Sequence, residues 1–461
     1  MGEHSQETAL ILPALTIARA TLVEGLRQPI FFVVLFGSAV AQILNTANAA
    51  YTFGYRSSAA GEVTGDDKML LDVGLATVFV GGILLAAFIA TSAVSREIEN
   101  KTVLTIVSKP VSRPAVVIGK FLGVAAAMLL GSIVMICHFL FGLEHGVMST
   151  AADNFHGPVI TFGAGGLALC VLFAGFANFW YGWSFNQTFA LLMLPVSVLG
   201  YLAAAPFEAN WGLKPLHEVL EFQVYLACTG VLIALLVMSS LAVAVSTRFG
   251  QVMTLMICGG VFLLGLLSNY YVGRYAFQND PIGSIAEAAP VDLDDAPFTA
   301  SGQSYVVTLE KPSDRSIRVG DPAYLGPAPN GLAVRPSAFE APEDIDLTRE
   351  RFPEGTPDGM VVAGVNDLEV TLKLIGDGDV RTYGPPQPGD WLFTTPTRVN
   401  WGALTAWAII PNMHNFWLTD AVTQASPIPF LHIALVAFYG LFEIGACLSI
   451  AVILFQGRDV G

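Results

Sequence analysis

Long apolar runs separated by short polar stretches dominate the pattern along this chain. They recur at about 29–50, 69–93, 115–141, 158–206, 222–246, 251–272 and 431–455. An α-helix needs about 20 mostly apolar residues to cross the hydrocarbon of a bilayer. The 158–206 stretch has room for two such helices and breaks near Tyr181-Gly182-Trp183-Ser184-Phe185-Asn186, which gives eight spans in all. A re-entrant hairpin at 158–206 is the alternative, and it would leave the parity of every other span unchanged. Ahead of the first run, Leu15, Ala18, Leu22 and Leu26 recur at helical spacing, with Thr16, Arg19 and Arg27 mostly on the other side. That pattern predicts an amphipathic helix over 14–28 lying in the membrane surface, bracketed by Pro13 and Pro29. The other reading joins it to the first span.

The pattern changes after residue 272. Ser304–Glu310, Met360–Val365 and Leu368–Ile375 read as strands, separated by Pro and Gly clusters such as Gly326-Pro-Ala-Pro-Asn-Gly331 and Gly384-Pro-Pro-Gln-Pro-Gly389. A small β-rich domain with long loops is expected at about 273–400. An aromatic-rich segment at 401–430, with Trp401, Trp407, Phe416 and Trp417, suits helices at the outer membrane interface before the last span.

Composition agrees with the membrane reading. Of 461 residues, 54% are apolar and 13% charged, and the mean hydropathy is +0.60. Soluble domains carry roughly a quarter charged residues, and disordered chains are charge-rich, so a large soluble enzyme and a disordered chain are both disfavoured. The net charge is −15, and 20 of the 37 acidic residues lie in 274–400, about twice the number of basic ones there. An acidic chain without a basic patch makes nucleic acid an unsuitable partner. Lys and Arg near the span ends set the orientation. Arg19, Arg27, Arg96, Lys101, Lys109, Arg113, Lys120, Arg248 and Arg458 fall on one side; Arg56, Lys68, Lys214 and Arg274 fall on the other. The nine-to-four bias puts both termini in the cytoplasm and the acidic domain outside. The opening Met1-Gly2-Glu3-His4 has no cationic n-region, so no cleavable signal peptide is expected. The five cysteines sit inside apolar runs without CxxC spacing and read as small buried hydrophobes.

Catalytic motifs are missing from the sequence. It contains no GxxxxGK[ST], HExxH or GxSxG pattern. His145 and His156 share one loop where they could hold a metal, although satisfied surface histidines are the commoner case. Gly119-x-x-x-Gly123 allows close helix packing. Glu443 lies in the middle of the last span, where a carboxylate costs about 2.5–3.5 kcal/mol on insertion scales, so it should face the bundle or a wet cavity. Either a substrate-path or dimer-interface role or a structural hydrogen bond would account for it. The most informative segment is Ser95-Arg-Glu-Ile-Glu-Asn-Lys-Thr102 through Ser108-Lys-Pro110 to Arg113 and Lys120, a short mixed-charge stretch with an apolar side between two spans. On its residues alone it reads equally as an ordinary interfacial loop helix.

The pattern Arg-Glu-x-Glu-x-x-Thr, followed by Ser-Lys-Pro-Val-Ser-Arg and Gly-Lys, resembles the first coupling segment of ABC-2 type permeases, closest to those of the copper-enzyme-maturation and gliding type. The 14–28 helix occupies the place of that family's elbow helix. Leu241–Phe249 resembles a short cytoplasmic link of the family, and Ile410–Ala421 with the ending Leu454-Phe-Gln-Gly-Arg458 resembles its C-terminus. The resemblance covers roughly 10–142, 220–272 and 405–461. It implies an all-α polytopic membrane protein of about eight transmembrane helices: a six-span ABC-2 core, an inserted pair at 158–206 and an inserted β-rich extracytoplasmic domain larger than the usual outer loop. Its parts are the tail and elbow helix at 1–28, spans 1–7 at 29–272 with a coupling segment at 95–113, the β-rich domain at 273–400, interfacial helices at 401–430, and the last span with a cytoplasmic tail at 431–461.

The implied function is that of a permease subunit in the bacterial inner membrane. It is not itself an enzyme and holds no cofactor or metal, because ATP is bound by a separate ABC ATPase subunit. The other implied partners are a second permease, in a homodimer or heterodimer, and the bilayer, with an extracytoplasmic partner protein left open. Arg96, Glu97, Glu99, Lys101, Thr102, Ser108, Lys109, Pro110, Arg113 and Arg248 would form the ATPase-coupling surface. Glu97 and Glu99 would pair with basic groups of the ATPase, Lys101 and Arg113 with acidic groups or lipid phosphates, and Thr102 and Pro110 would shape the helix ends. Taken singly, each also reads as a solvated surface charge. The competing functions are a membrane-anchored extracytoplasmic binding or scaffold protein and, less well supported, an integral-membrane enzyme.

Overall fold

The computed structural model describes residues 2–48, 65–95, 111–148, 154–215, 219, 221–312, 316–327, 329, 346–349, 352–353, 355–376, 380, 384–423 and 427–456, with side chains from 12 and from 68 in the first two segments. The helices are α1 (Gly2–Leu26), α2 (Pro29–Asn48), α3 (Gly65–Ala93), α4 (Arg113–His145), α5 (Gly157–Tyr181), α6 (Phe185–Ala204), α7 (Phe222–Ser246), α8 (Gln251–Ala276), α9 (Trp401–Ile409), α10 (Thr419–Thr423) and α11 (Phe430–Gln456). Eight of them, α2 to α8 and α11, are long and apolar enough to cross a membrane, and the chain is a multi-pass membrane protein. The 158–206 stretch forms two helices of 25 and 20 residues, each of spanning length. The chain divides into two compact units, 1–263 with 413–461, and 264–412.

The first unit is a helical bundle. Its core is α4, α7 and α3, whose most apolar stretches are 78%, 72% and 67% buried, against 17% for α5 and α11. Membrane bundles pack by close backbone approach at small residues, because lipid tails offer no hydrophobic drive between helices. Gly82 of α3 follows this rule: a Cβ there would meet Leu235 of α7 at 2.5 Å.

The expected 14–28 helix is longer than its amphipathic pattern indicates. It starts at Gly2, so Pro13 lies inside it and not at its beginning. Proline there removes one intrahelical hydrogen bond. The helix is not a free surface element. Ala14, Thr21, Gly25 and Leu26 are buried. A Cβ on Gly119 of α4 would come within 2.7 Å of the Ala14 carbonyl oxygen, and one on Gly123 within 2.6 Å of the Ala18 oxygen and 2.5 Å of Thr21 Cβ. Gly25 in turn faces Ala127. The two helices therefore run parallel, and α1 lines the first half of the 33-residue α4 through the expected Gly-x-x-x-Gly pair.

The second unit is built around a closed antiparallel barrel. Its strands are β2 (Pro281–Pro290), β3 (Ser304–Leu309), β4 (Pro322–Gly326), β5 (Gly359–Asn366), β6 (Glu369–Ile375) and β7 (Trp391–Phe393), in the order β2-β3-β6-β5-β4-β7. Alternation drives it: in β3, Tyr305, Val307 and Leu309 point inward and their neighbours do not. Ile285, Phe298, Val307, Val362, Leu372 and Leu392 are among the side chains that fill the interior, each fully buried. A small separate ladder pairs β1 (Phe277–Gln278) with β8 (Arg398–Val399). Strands β3, β5 and β6 match the sequence reading within one residue. The sequence reading missed β2, β4 and β7, whose prolines, glycines and shortness hide the pattern. Helix α9 begins at Asn400, whose side-chain oxygen accepts from Gly402 and Ala403.

Candidate functional site

Most of the expected coupling residues, Arg96, Glu97, Glu99, Lys101, Thr102, Ser108, Lys109 and Pro110, lie outside the described residues. The two that remain, Arg113 and Arg248, converge on one place. Arg113 opens α4, and its Nη1 donates to the carbonyl of Gln456 at 2.7 Å. Arg248 lies just past α7, and its Nη2 donates to the carbonyl of Leu454 at 2.8 Å. The last carbonyls of a helix have no partner within it and carry its negative dipole end, so two guanidinium groups satisfy the C-terminus of α11 by hydrogen bond and by charge. These arginines therefore fasten α11 to α4 and to the α7–α8 link, a role the sequence reading did not assign. Nearby elements are tied in the same way. Gln28, in the turn between α1 and α2, donates to Ser92 of α3. Arg27 donates to Gln187 at 2.8 Å, and Asn186 donates back to the Arg27 carbonyl at 3.2 Å, so the turn between α5 and α6 is pinned to the turn between α1 and α2.

Glu443 sits on the stripe of α11 that also carries the buried Val436, Gly440 and Ala451. It is half-buried and accepts a hydrogen bond from Tyr439, one turn away. Cys447, one turn further, is within hydrogen-bonding reach of Ser240 on α7. The carboxylate thus lies on the bundle-facing side of α11, as its cost in lipid requires. All five cysteines are free, four of them buried.

At the far end of α4 is a polar knot with no local sequence signature. Glu144 forms an ion pair with Lys214, and His156 Nε2 stands 3.7 Å from the same carboxylate oxygen. The knot joins the end of α4, the start of α5 and the chain after α6. His156 caps α5 by accepting from Val159 at 3.4 Å, and only 5% of it is exposed, so it is not a surface histidine. Its backbone N–H lies 3.5 Å from His145 Nε2. No group of three His, Cys, Asp or Glu side chains that could hold a metal occurs among the described residues.

Burial pushes the His156 imidazole below its ordinary 6.5, and the nearby Lys214 and His145 act in the same direction, while Glu144 opposes them. The unfolded chain then binds the proton more readily than the folded one, so stability falls as pH drops below about 6.5. The melting temperature in detergent is expected to be lower at pH 5.5 than at pH 7.5. His156→Gln should flatten that difference; an unchanged slope in the variant would count against the assignment.

No curated protein and no solved structure matches this chain. Residues 15–178, rather more than a third of it, match the family described as ABC-2 family transporter protein. The match takes in α1 from Leu15, spans α2 to α4, the segment between α3 and α4, and α5 up to Asn178, so the 158–206 pair as a whole is not set apart from the family region. Over these first spans the chain is similar to the ABC-2 transporter family.

Proposed function

We propose that this chain is the membrane subunit of an ABC transporter and that it works with a separate ATPase subunit. The observation that carries this reading is the family match over 15–178, which includes both helices flanking the 95–113 segment. The sequence itself contains no nucleotide-binding motif. In this reading 95–113 rides in a groove of the ATPase, Glu97 and Glu99 pair with its basic groups, and the termini lie in the cytoplasm of a bacterium whose inner membrane holds the spans. Arg113 ends the coupling segment, opens α4 and grips the last turn of α11, so movement of that segment would pull on the third and last spans together. The filled interior of the barrel favours a domain that presents its outer surface, on the extracytoplasmic side, over one that encloses a ligand. The output is export or force delivered to a partner outside, with the transporter built from two permeases and two ATPases.

The test is affinity purification from native membranes in mild detergent, with mass spectrometry and an ATPase assay on the eluate. An ABC ATPase should co-purify with the wild type and be lost from Glu97→Arg/Glu99→Arg, because reversal of two docking charges leaves like charges facing each other. If no ATPase accompanies the wild type in several detergents, the chain acts as an anchored scaffold instead.

A further inference from the structure

Between α2, α4 and α5 lies a cavity of about 390 Å³ that none of the foregoing uses. That volume is within the range of small-molecule sites. Its lining is almost wholly apolar and carries no Asp, Glu, Lys or Arg. One wall is the π-helical turn Ile160–Ala164 of α5, which contributes Ile160, Gly163 and Ala164. Single π turns inside α-helices occur frequently at functional sites.

Two buried polar side chains on the other walls carry atoms without hydrogen-bond partners. His138 of α4 is 7% exposed, and neither of its ring nitrogens is hydrogen-bonded. Gln42 of α2 is 3% exposed; its amide nitrogen donates to the Gly74 carbonyl at 2.9 Å, and its Oε1 has no partner. Leaving such groups unpaired away from water costs about 1–3 kcal/mol each. A single water could satisfy them but would leave the apolar remainder of the space empty. A neutral imidazole offers one donor and one acceptor, and Gln42 Oε1 offers an acceptor. A hydroxyl, which both donates and accepts, complements this set. The remaining imidazole of the lining, His145, is engaged by the Gly146 carbonyl and the His156 backbone N–H, and no Asp, Glu, Lys or Arg is present, so a charged head would be penalised.

We infer that this cavity binds a membrane-soluble alcohol, an apolar chain or ring system ending in a hydroxyl that meets His138 and Gln42. The site is independent of whether the chain pairs with an ATPase.

The test uses the full chain in detergent with a diazirine-bearing hexadecanol. Irradiation followed by mass spectrometry should place the label on peptides from α2, α4 and α5. Unlabelled 1-hexadecanol should compete about fivefold better than hexadecane or hexadecanoic acid, the scale of one buried hydrogen bond. His138→Leu should erase the preference for alcohol over hydrocarbon. Ala164→Trp, at an exposed position on the cavity wall, should abolish labelling, and it decides the matter if the histidine variant does not fold. Label elsewhere, equal competition by hexadecane or by the acid, or full labelling of Ala164→Trp each overturns the inference. In the hexadecane case the cavity holds only a lipid tail.

Discussion

Replacing Gly119 and Gly123 together by leucine is expected to abolish recovery of folded, monodisperse protein. A Cβ at either position meets a backbone carbonyl oxygen of α1, at 2.7 Å for Gly119 and 2.6 Å for Gly123. A flexible side chain could swing aside, whereas a backbone oxygen moves only if the whole helix moves. Overpacking typically costs about 1–3 kcal/mol per site, and leucine adds three further carbons at each. The two losses fall on the same helix pair, against a total stability of about 5–15 kcal/mol. Gly37→Leu/Gly175→Leu is the control, since a Cβ at those positions meets nothing within 4 Å. Size-exclusion profiles and melting curves of the two double variants should separate clearly. Equal behaviour would mean that α1 is not held against α4.

The second large effect concerns the knot at the other end of α4. Lys214→Met should destabilise the protein by about 3 kcal/mol, because it leaves Glu144, whose side chain is only 14% exposed, without its cation. His156 cannot replace it fully while neutral. Removing both charges, as Glu144→Gln/Lys214→Met, should recover most of the loss, since the penalty comes from a lone buried charge and not from the missing attraction. A melting temperature for Lys214→Met equal to that of the wild type would rule out a structural ion pair.

The spans were legible because each is a continuous apolar run near 20 residues, a signal that does not depend on tertiary context. The Gly119-x-x-x-Gly123 spacing was legible as a packing face, although nothing in the sequence said that α1 would be its partner. Arg113 and Arg248 were recognisable as basic residues near span ends, but their carbonyl partners lie 343 and 206 residues away. Such pairings have no local pattern. The same holds for Glu144, His156 and Lys214, which come from the end of α4, the start of α5 and the chain after α6. In the barrel, β3, β5 and β6 carry β-branched alternation. Strand β2 begins and ends in proline and has irregular pairing near Gly283 and Ile285, and β7 has only three residues, so neither has a period to detect. The apolar cavity could not be foreseen, because His138 looks like any histidine in a span until both of its nitrogens are seen to be unpaired.

The β1–β8 ladder has a practical consequence for the barrel. Gln278 pairs with Arg398 and Phe277 with Val399, so the chain enters and leaves the barrel on two strands about 5 Å apart. A segment whose two ends meet behaves as a removable cassette. An Asn-Gly turn joining Gln278 to Arg398 would close the same ladder as a two-residue hairpin, leaving the flanking chain in register. The ladder can equally receive a different barrel, grafted at a single seam.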